Sequence, residues 1–308
     1  MLGLRTGAGG ILTMYLIATL VSLPVSATVV SLEETFEQSV SSGIGGHTLL
    51  VEELTATWCP TCAEIDPQLK QVADSHGSRI ALIALHPTDG EDAFQPPASL
   101  HRIERLQTVH EDLTSTPTFI VEGGELRVGY DAWVDVQRDI LDNELQRSST
   151  TKLAFEVIRN GTGMNVAMSH FETDQTNGTQ LTFLLLEHGK SMPSDAVNPG
   201  LEVRDRVAVG LVECDLSTHT ITEILGPVST NTSCLNDFSF SFETMDSWSV
   251  VLIHEATTDS IANGTEPLSL GVIEMAYRER IEPVTNSLGT ALIVLCALLS
   301  MVAIYRKK

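Results

Sequence analysis

Near residue 150 the hydropathy rhythm of this chain changes, and the change divides it into two kinds of structure. From about Ser31 to Arg147 strand and helix signals alternate. "HTLLVEELTA" (47–56) is a mostly apolar strand, "PTCAEIDPQLKQVADSH" (60–76) a helix, and "RIALIAL" (79–85) a short buried strand. A helix follows through "SLHRIERLQTVHEDL", with Ser99 as its predicted cap. Then come "TPTFIVEGGELRVGY", two strands about a Gly-Gly turn, and a final amphipathic helix, "AWVDVQRDILDNELQR". The order is β-α-β-α-β-β-α. After the polar linker "RSSTT" (147–151) the helical spacing disappears, and "KLAFEVIR", "MNVAMSHF", "TQLTFLLLEHG", "RVAVGLVEC", "SWSVVLIHE" and "LSLGVIEMAY" follow with turn signals between them. Such segments predict an antiparallel sandwich rather than a second α/β unit. At 308 residues and 43% hydrophobic content the chain is long enough for two cores, expected at residues 31–147 and 152–282.

Both ends are apolar, in different ways. Arg5 precedes an uncharged stretch from Ile11 to Leu23, and "PVSA" then places the small residues Val25 and Ala27 around a cleavage point. Residues 1–27 therefore read as a secretory signal peptide, its apolar centre being shorter than the ~20 residues a membrane span needs. "LGTALIVLCALLSMVAIY", Leu288 to Tyr305, carries no charge and runs straight into Arg306, Lys307 and Lys308. This predicts a transmembrane helix over residues 288–305 with a cytoplasmic tail at 306–308. The expected location is thus the cell membrane, single-pass, with everything before Leu288 extracytoplasmic. Four glycosylation sequons, at Asn160, Asn177, Asn231 and Asn263, fit that placement, although three read Asn-Gly-Thr and serve equally as hairpin turns.

A net charge of -22 excludes a nucleic-acid partner, because 18 thinly spread Lys and Arg offer no phosphate-binding patch. Of the five cysteines, Cys296 falls in the predicted span, where it is a small apolar residue. Pairing Cys59 with Cys62 and Cys214 with Cys234 keeps each disulfide inside one expected domain.

"TATWCPTCAEIDP" (55–67) with "STPTFIVEGGELRVGY" resembles a thioredoxin-like domain over about 115 residues. The matching features are Trp58 before the CxxC, Pro67 five residues beyond Cys62, and Thr116-Pro117 opening a hairpin. More narrowly, "LLVEELTATWCPTC", "ALIALHP" and a β-rich second half are similar to a bacterial outer-membrane-protein family that joins a thioredoxin-like domain to an immunoglobulin-like sandwich. The expected fold class is therefore an α/β thioredoxin-like domain, an all-β sandwich and one C-terminal transmembrane helix.

The residues supply a chemistry of their own. Cys59 falls at a predicted helix start, with Pro60 suited to the first turn, so free N–H groups and the positive dipole end face its sulfur. That favours its thiolate and makes it the nucleophile. Cys62, one turn on and less exposed, is the resolving thiol. The hydroxyl of Thr61 is either a donor to the thiolate or a solvated group. The resemblance further implies that Thr116-Pro117 is a cis-proline loop offering backbone to an extended substrate, with Trp58 and Pro60 completing the substrate-binding surface. It also implies that Glu53, six residues before Cys59, is a buried acid exchanging protons with Cys62; Glu52 points the other way by strand alternation. A satisfied structural carboxylate is the competing reading of Glu53. Ala63 and Glu64 depart from the basic residue that many thioredoxins carry after the second cysteine, so local charge does not help the thiolate.

A CxxC with His86, His101 and His110 nearby also suits zinc or copper, but no second CxxC is present, and no metal is expected. No cofactor is expected beyond the redox-active Cys59–Cys62 pair. Together these features predict an enzyme, a membrane-anchored thiol-disulfide oxidoreductase acting on extracytoplasmic protein substrates with cysteines. Oxidation or isomerisation is favoured over reduction, which would require a membrane redox partner. The alternative is an adhesion or receptor-like protein keeping an inactive thioredoxin-like scaffold.

Overall fold

The computed structural model describes residues 27–76, 79–146, 151–230, 234 and 237–279. In chain order the first half contains β1 (Ala27–Val30), β2 (Val40–Ser41), β3 (Leu49–Leu54), α1 (Pro60–His76), β4 (Ile80–Leu85), α2 (Pro97–Gln107), β5 (Thr118–Val121), β6 (Arg127–Val128) and α3 (Trp133–Gln146). The second half contains β7 (Lys152–Asn160), β8 (Gly163–Glu172), β9 (Thr179–Glu187), β10 (Lys190–Ser191), β11 (Val203–Arg204), β12 (Val207–Asp215), β13 (Thr220–Leu225), β14 (Val228–Thr230), β15 (Ser239–Glu243), β16 (Trp248–Ala256), α4 (Thr258–Ala262) and β17 (Ser269–Tyr277).

One mixed sheet runs through both halves. Its order is β1-β17-β16-β9-β12-β4-β3-β5-β6, with β13 added beside β12. The junction is parallel, Val207 on β12 opposite Ala84 on β4, and the amide of Ala84 donates to the carbonyl of Arg206 at 2.9 Å. A second sheet, β14-β15-β8-β7-β2, covers one face of the first, and Phe155, Val166, Phe240, Phe183, Trp248 and Ile273 close the core between them. On the opposite face α2 sets Ile103 and Leu106 against Leu50 and Ile83 of β3 and β4, and also near Leu184, Leu211 and Val251 of β9, β12 and β16. Strands β9, β12 and β16 are consequently buried along nearly their whole length, as covering both faces requires. Helices α1 and α3 pack Ile65, Leu69, Val136 and Ile140 over the other side of β3, β4 and β5.

This architecture corrects the expected fold class. Strands predominate, 17 against four α-helices among the described residues, and there is no self-contained α/β thioredoxin-like domain followed by a separate sandwich. The physical reason is that β4 finds a hydrogen-bonding neighbour in β12, while β1 and β2, from the first 41 residues, pair with β17 and β7. The membrane expectation is corrected as well. Among the described residues no helix is long and apolar enough to cross a membrane. The predicted span at 288–305 and tail at 306–308 lie outside the described residues, as does the leader up to Ala27, which opens β1. The single-pass anchor, the transmembrane helix and the location that rested on them are therefore set aside.

Two local expectations also change. Helix α2 starts at Pro97 behind Pro96, with no side-chain cap; Ser99 lies inside it and donates to the carbonyl of Ala208 at 2.9 Å. The Asn-Gly sequons at Asn160, Asn177 and Asn263 are exposed, and each following glycine has positive φ, so all three make turns. Asn231 lies outside the described residues.

Candidate active site

Strand β3 delivers the chain through Thr55–Trp58 to the start of α1, where Cys59 and Cys62 form a disulfide. Pro60 occupies the first helical position, where a missing N–H costs nothing, and both it and Thr61 are exposed. The amide N–H of Cys62 donates to Sγ of Cys59 at 3.1 Å, so a free helix-start donor is aimed at the first sulfur. Both cysteines are buried in this state, packed with Ala56 and flanked by half-buried Trp58. Greater exposure of Cys59 is therefore absent from the disulfide form.

The loop after β4 straps this segment. Asp92 Oδ2 accepts from the amide of Thr57 at 2.8 Å and lies 2.9 Å from Nδ1 of His86. Thr57 Oγ1 accepts in turn from the amide of Ala93, and the Trp58 indole N–H donates to Asp89 at 3.0 Å. Burial alone would raise the Asp92 carboxyl; the His86 contact and the backbone donors overcome it and hold it below the ordinary range.

Beside α1 a cavity of about 60 Å³ is lined by Glu53, Thr55, Ala63, Asp66, His86 and Arg204, among others. Glu53 is 3% exposed, its carboxyl lies in hydrogen-bonding reach of that of Asp66, and Nε2 of His86 has no protein partner. Desolvation, then the negative charge of Asp66, pushes the Glu53 carboxyl well above its usual range. Desolvation also raises Asp66, to about 6, against the pull of Arg204 and His86. Glu52, as alternation requires, faces away, where Arg102 Nη2 donates to its Oε1 at 2.7 Å.

Thr116-Pro117 is a cis peptide bond, with Pro117 buried and Thr116 half-buried. Because Thr118 pairs with Leu54, this turn stands at the same end of β3 from which the chain leaves for Cys59. Cys214 and Cys234 form the second disulfide, inside the core between the sheets. The remaining histidines do not gather at the site: His101 lies against Glu213, and His110 approaches the carbonyl of Gly123. His188, at the end of β9, is buried with Nε2 2.8 Å from Ser249 Oγ. Among the described residues no three His, Cys, Asp or Glu side chains converge on a metal position.

No family model matches this chain, and no curated protein matches it. Two solved structures do. HBP35 of Porphyromonas gingivalis is 13% identical, with a TM-score of 0.52 over 79% of this chain and 81% of that one. The likeness extends to the fold alone. A structural-genomics protein from Agrobacterium tumefaciens is 10% identical, with a TM-score of 0.45 over 76% of this chain and 96% of its own.

Sequence reasoning missed Asp66, Asp92 and Arg204. Arg204 comes from β11, over 140 residues after the CxxC, yet its Nη2 reaches the carbonyl of Thr57 at 3.5 Å and its Nε stands 4.0 Å from Asp66. Only the pairing of β12 with β4 brings it there, and no spacing in the sequence signals such a contact. Asp66, one residue before the helix-interior Pro67, reads as an ordinary surface acid.

Proposed function

We propose that this protein is a thiol-disulfide oxidoreductase acting on protein cysteines through Cys59 and Cys62. The observation that carries the reading is the donor geometry at the first sulfur, where the Cys62 amide and the open start of α1 both favour negative charge. In the dithiol state the Cys59 thiolate attacks a substrate disulfide. A Cys59–substrate S–S bond forms, and one substrate thiolate leaves. Cys62 gives its proton to a carboxylate at Glu53 and attacks Sγ of Cys59, closing the Cys59–Cys62 disulfide and releasing the second substrate thiolate. Two electrons pass from the protein dithiol to the substrate. Oxidation of a substrate dithiol is the same path reversed, beginning from the disulfide form. Thr116, preceding the cis proline, supplies backbone for an extended substrate segment, and Trp58 and exposed Pro60 border the approach.

The sequence-based preference for oxidation rested on the membrane-anchored placement and is dropped with it. The equilibrium potential of the pair against glutathione fixes the direction. Insulin reduction and refolding of a scrambled disulfide protein, each with the full chain and its Cys59→Ala variant, test the reading. Loss of activity in the variant is expected. Equal activity in both would make the dithiol incidental and favour a binding scaffold.

A further inference from the structure

The first acid of the candidate site has a companion that the redox reading does not use. Glu53 on β3 and Asp66 on α1 face the same small cavity with their carboxyls in hydrogen-bonding reach of each other, an arrangement that needs a proton between them, and His86 has an unpartnered Nε2 beside it. Glu53 and His86 are both at least 97% buried, with exposures of 3% and 1%. A space of about 60 Å³ has room for a few water molecules, and the free lone pairs of the two carboxyls with Nε2 of His86 give them the bonds that buried water requires.

The charged groups around the pair come from four elements. Besides Glu53 and His86 they are Lys70 on α1, and Arg204, Asp205 and Arg206 from β11 and the turn after it. Lys70 is bonded to Asp205, and Arg206 donates to Asp74 at 2.8 Å. Arg204 bonds otherwise only to neutral acceptors, Asn198 Oδ1 and the carbonyls of Leu201, Val203 and Thr57. It is therefore the cation left to face Asp66.

We propose that Glu53 and Asp66 share one proton, that water in this cavity links the pair to solvent, and that Arg204 sets the charge of its outer member. The inference rests on the redox reading above and names the route by which Cys62 is reloaded. When Cys62 leaves as a thiolate during substrate oxidation, Glu53 gives it a proton. Two carboxylates then stand side by side in a desolvated site, and a proton returns from solvent through the cavity water and Asp66. The opposite flow follows when Cys62 is deprotonated. One proton moves per turnover of the dithiol, and nothing else is consumed. Asp66 touches neither sulfur nor substrate in this scheme; it is a positioning residue acting through Glu53. Burial raises both carboxyls, Asp66 to about 6 and Glu53 well above its usual range, so a proton held between them is released less readily than from a free acid.

The test is an infrared titration of protonated carboxyl groups in the oxidised full chain. A buried protonated carboxyl that disappears in Glu53→Gln identifies the inner acid. In Asp66→Asn its midpoint falls by about one pH unit or more, a tenfold loss of proton affinity, because the adjacent negative charge is gone. In Arg204→Gln the Asp66 midpoint rises instead. In stopped-flow measurement of mixed-disulfide resolution, Asp66→Asn removes the limb of the pH profile near 6 while resolution at high pH keeps its rate. A Glu53 midpoint that ignores Asp66→Asn, with exchange still dependent on Cys59, overturns the pair and leaves the redox reading intact. Exchange independent of Cys59 overturns the redox reading and with it any service of the pair to Cys62. Far-UV circular dichroism on each variant separates these outcomes from misfolding.

Discussion

Sγ of Cys59 accepts the amide N–H of Cys62 at 3.1 Å, one helical turn apart at the open end of α1. A sulfur so placed loses its proton more readily than a free thiol, whose pKa is about 8.5. Reduced protein should therefore be alkylated at Cys59 first, at neutral pH and about tenfold faster than free cysteine. Peptide mapping after a short iodoacetamide pulse reads both rate and site. Cys62→Ser should accumulate a mixed disulfide at Cys59, whereas Cys59→Ser should accumulate none. Equal labelling of the two thiols would remove the basis for the nucleophile assignment.

The elements around that sulfur are legible because their signals are local. "IALIAL" is an unbroken apolar run at β4, "LLVEEL" a mostly apolar one at β3 interrupted by Glu52 and Glu53, and "CPTC" sets Pro60 at a helix start. The error in the second half has a readable cause too. "LTFLLLE", "VAVGLVEC" and "SVVLIHE" carry consecutive apolar residues, the mark of strands covered on both faces, whereas a sandwich strand with one wet face alternates. What covers the second face is α2, and nothing in its own sequence says which strands it will lie on. Short strands such as β1, β2 and β11 are two to four residues long and carry no period at all. Arg204, on β11, was out of reach for the same reason, and with it the contact that makes Asp66 more than a surface acid.

The buried charges under α2 show how far such contacts extend. Arg102 donates to Glu52 at 2.7 Å on one side and to Glu255 at 2.7 Å on the other, partners 50 and 153 residues away in the chain. Arg105 and Thr182 also reach Glu255. Arg102→Met would leave two carboxylates without their shared cation in a desolvated space, which costs about 3–5 kcal/mol. Urea denaturation at pH 7 should show that loss. Combining Arg102→Met and Arg105→Met with Glu52→Leu and Glu255→Leu should recover most of it, since an apolar replacement of the whole group, Arg105 included, leaves no uncompensated charge.

Acid should weaken the fold through two neighbouring side chains. His254 is buried with hydroxyls of Thr151 and Thr179 at its two ring nitrogens, and desolvation pulls its pKa down to about 4. An unfolded histidine takes up a proton near 6.5, so the folded state loses relative stability as pH falls from 6.5 towards 4. Glu255 is held at about 2: burial would raise it, but Arg102 and Arg105 outweigh burial. Its contribution is complete above about 4.5 and is lost between there and 2. Each shift corresponds to about 3 kcal/mol at full effect. Glu53 and Asp66, whose carboxyls burial raises, act in the opposite sense over the same range, so the reading is a difference: the urea midpoint of the wild type should fall relative to that of His254→Gln as pH goes from 6.5 to 4.

The Cys214–Cys234 disulfide closes a loop with a sequence separation of 20, against 3 for the CxxC pair, and does not stand at a helix start. It ties the end of β12 to the segment entering β15, and both sulfurs lie in the core between the two sheets, beyond the reach of a protein substrate. A cross-link of that span restricts the unfolded chain by about 3 kcal/mol. Replacing both cysteines with alanine should therefore lower unfolding free energy by that amount and leave alkylation of Cys59 and exchange activity unchanged. The paired measurement separates a staple from a second redox centre. If the double variant keeps wild-type stability but loses exchange, Cys214 and Cys234 belong to the electron path and not to the scaffold.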